Sequence, residues 1–326
     1  MNNLSKIKVS LWARFSTSLF MVITPEYYEF KKVKRKDRQK TLDTVNYASI
    51  PFQNTVIEGV KIRYAHEGQS DKPCIILLSP LPQSIYAYTP IWGKLIEKYN
   101  VYAYDMPGFG RSEGSEEDMH FAKQGKFLKS FIEHFKIKKP HIIGPDIGMA
   151  AALNYVTNFP NEVESLLIGD GPGVSPSKNG SLIKKLERSS FWRLVFKVVG
   201  AETFVYAACK LCYVNYQPSQ KEVDDYIASY KNRIGQTTKW FKYYSEGMAT
   251  IDPYLEQIPQ PVLIFWGGDD KLLLPENASN MHAKLKNSKL NIFENCGHFS
   301  YQDKNKEFVE LVDNWVSEDY KTTLKS

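Results

Sequence analysis

The chain has 326 residues, 43% hydrophobic and 24% charged, the balance of a globular protein with room for one large α/β unit and an inserted piece. It holds no run of about 20 uncharged apolar residues, which argues against a spanning helix. Residues 31–40 (KKVKRKDRQK) carry the whole net charge of +6; the rest sums to zero, so nothing marks nucleic acid as a partner.

An N-terminal arm, residues 1–45, comes first. Leu4, Ile7, Leu11, Phe15, Leu19 and Val22 recur at three- and four-residue spacing, with Trp12 and Ile23 beside them. This predicts an amphipathic helix ending near Pro25. Followed by a basic run, it fits peripheral contact with an anionic membrane surface. The competing reading packs the helix on its own domain or a partner and leaves the basic run as a solvated loop. No small-x-small cleavage site follows the apolar part, and there are only four cysteines, so a reducing, cytoplasmic compartment is expected. Cys209 and Cys212 read as packing thiols on one helix face.

Strand and helix signals then alternate. Residues 55–57 and 60–64 flank Glu58-Gly59 as a hairpin. Strands are expected at 74–78, 101–105, 142–143, 165–168, 261–266 and 290–293. Helices are expected at 90–99, 116–136, 149–159, 276–285 and 306–316. Between 173 and 250 the pattern is helical, lysine-rich and aromatic. The fold class is therefore α/β, a mostly parallel sheet covered by helices on both faces. Its core spans 46–172 and 251–326, and a helical cap, 173–250, is inserted between them.

The segment Ile142-Ile143-Gly144-Pro145-Asp146-Ile147-Gly148 reads as a strand turning sharply into a helix, a nucleophile elbow with Asp where Ser is usual. An Asp there could instead be an ordinary helix N-cap. Against this, an acid at Asp270 closes the strand at 261–266, and His298 follows the last strand. Nucleophile, acid and His thus come in the order an elbow-based triad requires. Asp269 and Asp170 are rivals for the acid. Ser112 fits Gly-x-Ser-x-Gly on paper, but it follows a Pro-Gly turn and not a strand-to-helix elbow.

With these motifs and Asp105-Met106-Pro107-Gly108-Phe109-Gly110-Arg111-Ser112, the chain resembles the α/β-hydrolase superfamily over roughly residues 50–320. The Asp at the elbow is similar to the epoxide hydrolase and haloalkane or haloacid dehalogenase branch. The resemblance implies Asp146 as nucleophile, His298 as base and Asp270 as its orienting acid. It also implies an oxyanion hole from the Leu81 and Ile147 N–H groups and cap tyrosines as proton donors, with Tyr243, Tyr244 and Tyr206 as candidates. No cofactor or metal is implied.

Two positions depart from the family pattern. Ser79-Pro80-Leu81-Pro82 replaces His-Gly-x-Pro, and Ile147 replaces the Trp that helps hold a halide. A carboxylate is ionised at neutral pH, but its tetrahedral adduct with an ester would expel the carboxylate and revert. It suits an electrophilic sp³ carbon, through a covalent alkyl-enzyme ester. The expected activity is epoxide hydrolysis of a small-molecule substrate. The alternatives are dehalogenation of a small halogenated acid, with cap Lys, Arg and Trp240 binding the anion, or a non-catalytic binding module at a membrane.

Overall fold

The computed structural model describes residues 7–36 and 47–317. The arm forms two helices, α1 (Leu11–Val22) and α2 (Pro25–Lys36). The Ser10 hydroxyl caps α1 by accepting from the Ala13 N–H. Pro25, with no N–H to give, opens α2 at its first helical position. The basic run, expected as a loop, is therefore helical up to Lys36. Its remainder, together with Leu4 and Lys6, lies outside the described residues.

The hairpin follows as β1 (Phe52–Ile57) and β2 (Val60–Glu67). Glu58 and Gly59 both have positive φ, 50° and 78°, the turn chemistry expected there. Next come β3 (Cys74–Leu78), α3 (Thr89–Lys98), β4 (Asn100–Tyr104), α4 (Phe121–His134), β5 (His141–Pro145), α5 (Ile147–Asn158) and β6 (Ser165–Gly169). A helical insertion then runs through α6 (Ser181–Arg188), α7 (Ser190–Leu211), α8 (Gln220–Tyr230), α9 (Ile234–Trp240) and α10 (Tyr244–Ala249). The chain returns to the sheet as β7 (Val262–Gly267), α11 (Glu276–Lys284), β8 (Ser288–Phe293), α12 (Ser300–Asp303) and α13 (Asn305–Ser317).

The eight strands lie in the order β1-β2-β4-β3-β5-β6-β7-β8. β2 is antiparallel to both β1 and β4, and every other pairing is parallel. β4, β5, β6 and β7 are buried along their whole length, because helices cover both faces of a parallel sheet. α4 begins five residues later than predicted. The Asp118 carboxylate accepts from the Ser115 N–H and hydroxyl at 2.7 and 2.8 Å, a local turn that competes with helix.

Two contacts fix the insertion and the arm. Arg63 of β2 donates Nε to Asp105 at 2.6 Å and both terminal nitrogens to Asp225 of α8 at 2.7 and 3.0 Å. α7 breaks at Gly200, whose φ of 88° and ψ of 171° are non-helical. α1 lies antiparallel along its first half: Phe20 packs 5.8 Å from Trp192 and 4.5 Å from Phe196, and Trp12 donates to the Val199 carbonyl. The arm helix packs on its own chain, but not through the predicted apolar stripe. Ala13, Ser16, Thr17, Phe20 and Met21 face inward. The small side chains let the backbones approach, and the Ser16 hydroxyl meets Thr203 at 2.8 Å. Leu11, Phe15, Leu19 and Val22 face outward.

Candidate active site

Parallel strands deliver their C-terminal ends to one edge of the sheet, where loops can converge. Asp146 stands between β5 and α5 with φ 50° and ψ −127°, a sterically strained combination for a residue with a Cβ. The turn closes tightly enough that a methyl carbon on Gly144 would lie 2.6 Å from the Gly148 carbonyl oxygen, and one on Gly148 would lie 2.8 Å from the Leu78 Cβ. Small residues at minus two and plus two are thus a packing requirement. Asp146 occupies the N-cap position of α5 but makes no side-chain cap. Its carboxylate instead accepts from the Leu81 N–H, 2.5 Å from Oδ2.

His298, on the loop after β8, points Nε2 at Asp146 Oδ1 across 3.8 Å and Nδ1 at Asp270 Oδ2 at 2.7 Å. The other Asp270 oxygen accepts from the Leu272 and Leu273 N–H groups at 2.8 and 3.0 Å. Asp146, His298 and Asp270 are 5%, 4% and 1% exposed. Burial pushes the Asp146 carboxyl up to about 6, against His298 and the Leu81 and Ile147 N–H groups, which pull it down. Burial disfavours a charged His298, but Asp270, Asp146 and Asp170 outweigh it and raise the imidazole to about 9.

The two rival acids are engaged elsewhere. Asp170, at the end of β6 with φ 47°, accepts from the Gly267 N–H and from the Ser300 N–H and hydroxyl. It ties β6 to β7 and to the turn after His298. Burial, opposed by His298 and Ser300, pushes it up to about 8. Asp269 lies 4.0 Å from Lys271. Ser112 is fully buried, donating to the Asp105 carbonyl and accepting from the Arg63 N–H. It therefore braces the turn around Asp105.

A pocket of about 640 Å³ opens over Asp146 and His298. Leu81, Ile147, Leu272 and Leu273 line its floor, and Leu182, Leu186, Phe196, Phe204, Leu211 and Phe241 of the insertion close it above. Its other polar side chain is Tyr244, buried, with a hydroxyl that has no hydrogen-bond partner among the described residues. Tyr243 and Tyr206 do not line this pocket. Tyr243 packs on His120 and Lys242, and Tyr206 lies under Lys210. Tyr244 alone of the three candidates reaches the site. Spacing gives no signal that separates them, since Trp240 ends α9, Tyr244 opens α10 after a tight turn, and residues three and four apart share a helix face alike. No Lys or Arg lines the pocket among the described residues, and Trp240 packs against Phe109, Phe121 and Tyr244.

The family model described as alpha/beta hydrolase fold matches residues 73–305. The chain belongs to the α/β hydrolase fold family. Among relatives of this hydrolase, mouse (Mus musculus) monoacylglycerol lipase ABHD6 is 24% identical over 294 residues, 82% of this chain and 85% of that protein. Among solved structures, epoxide hydrolase CorEH superposes with a TM-score of 0.71 at 19% identity, covering 82% of this chain and 99% of that one. Haloalkane dehalogenase DbeA from Bradyrhizobium elkani gives 0.71 at 18%, covering 84% and 100%. The structural likeness is one of fold.

Proposed function

We propose that the protein hydrolyses an apolar epoxide through a covalent ester on Asp146. The observation that carries this reading is the pairing of an elbow carboxylate with a tyrosine hydroxyl that has no partner among the described residues, in a mostly apolar pocket. Asp146 Oδ1 attacks a ring carbon and the C–O bond opens. The Tyr244 O–H passes its proton to the departing oxygen and regains one on turnover. Water then loses a proton to His298 Nε2 and attacks the Asp146 Cγ. The Leu81 and Ile147 N–H groups hold the resulting oxyanion, and Asp270 keeps the imidazole in the orientation this needs. Collapse releases the diol and restores the carboxylate.

Two features favour an epoxide over a halogenated acid. The substrate's carboxylate would find no Lys or Arg in the pocket lining, and Ile147 offers a leaving halide no side-chain donor. The lipase named among the relatives acts on esters. Against an ester carbonyl, Asp146 would itself be the better leaving group and the adduct would revert.

The test is to trap the ester. In His298→Gln, incubation with an apolar epoxide is expected to leave an adduct on Asp146, visible in the intact and peptide masses. A single wild-type turnover in heavy-oxygen water is expected to label Asp146 and not the diol. Undiminished activity in Asp146→Ala overturns the reading, as does a label found only in the diol.

A further inference from the structure

We infer that α1 and the first half of α7 together form a face that docks on an anionic phospholipid bilayer. On α1 and its C-cap residue Ile23, Leu11, Trp12, Phe15, Leu19, Val22 and Ile23 fall within an arc of about 120°. All six are exposed, from 46% at Ile23 to 84% at Leu11. On α7, Phe191, Leu194 and Val198 repeat at helical spacing and are 64%, 56% and 68% exposed. The helices are antiparallel, so their wheels turn in opposite senses and both arcs emerge on the same side of the seam that Phe20, Trp192 and Phe196 close. Large apolar side chains on two packed helices make one continuous patch, which marks an interaction surface.

Charge decides between occupants. Beyond the α1 arc lies exposed Arg14. Beyond the α7 arc a cleft of about 710 Å³ next to Leu194 is lined by Arg193, Lys197, Lys239 and Lys242. Glu116 offsets part of this charge, 3.1 Å from Lys239 and 3.8 Å from Lys242. Glu202, the acid nearest the start of α1, is tied to Ser10. The basic run at 31–40 follows the same arm. An apolar strip flanked by cations suits acyl chains beneath anionic headgroups. A second copy would bring the same positive flanks against each other. The contact is peripheral, because no helix among the described residues is long and apolar enough to cross a membrane.

The experiment uses the full chain and liposome co-sedimentation. Vesicles of phosphatidylcholine mixed with phosphatidylserine are compared with phosphatidylcholine alone. The wild type is expected in the pellet with the anionic vesicles, and salt should weaken that binding. Leu11→Ser/Phe15→Ser/Leu19→Ser changes only exposed positions and should bind at least ~10-fold more weakly, with circular dichroism and melting unchanged. Arg14→Gln/Lys197→Gln should weaken the preference for anionic vesicles. The proposal is overturned if the wild type ignores both vesicles or if the triple variant binds equally well. It is also overturned if sedimentation velocity shows a dimer that the triple variant dissolves, since a second copy would then cover the face.

Discussion

At the residue scale, the reactive groups of this hydrolase are set by their neighbours. With burial holding Asp146 up to about 6, its carboxylate is ionised for the proposed attack only above that pH. Ester formation should therefore fall about tenfold per unit as pH drops below it. The charge on His298 lowers the Asp146 value, so removing it in His298→Gln should move this acid limb upward. Adduct formation followed by mass at several pH values reads both effects. His298, raised to about 9 in the resting site, is protonated at neutral pH and cannot yet accept a proton. Forming the proposed ester would erase the Asp146 charge, which ranks after Asp270 among the causes of that elevation, and so would lower the imidazole's value. Tyr244→Phe removes a hydroxyl that is buried without a partner among the described residues. Turnover should fall by about 10² or more while the melting temperature holds or rises, because no hydrogen bond is lost. A fall in both would mean that the tyrosine merely packs.

At the element scale, the elbow is tightly constrained. Gly144→Ala would set a methyl carbon against backbone, the Gly148 carbonyl, which no rotamer change relieves. We expect a loss of about 2 kcal/mol or more in urea denaturation and a larger loss in activity, since the same turn aims Asp146. This element was legible in the sequence because its demands are local: an apolar run, two small residues and an acid between them. The strands at 74–78 and 165–168 were legible for the same reason, as unbroken apolar runs. The α1 helix was legible as a helix, but not which of its faces packs. Spacing identifies an apolar arc but does not say which arc is buried, and here Ala13, Ser16 and Thr17 give α7 the closer fit. The helical state of the basic run up to Lys36 was missed, since its charges carry no apolar period.

At the scale of the whole molecule, the order Asp146, Asp270, His298 could be read along the chain, but the pocket above them could not. Its lining comes from residues separated by more than a hundred positions, and cap tyrosines that look alike in sequence divide between packing roles and one place in the site. Distance along the chain also hides how thin the pocket's outer wall is. α7 turns Phe196 to the cavity and, two residues later, Val198 to the outside. One helix, about 10 Å across, separates the reacting carbon from whatever lies against that outer face. With a bilayer there, the quantity that sets the rate is the mole fraction of substrate in the lipid and not its amount per volume of water. Diluting an apolar epoxide with inert phospholipid, at constant total substrate, should then slow turnover in proportion, as in two-dimensional surface kinetics; a rate indifferent to added lipid would mean that substrate enters from the aqueous side.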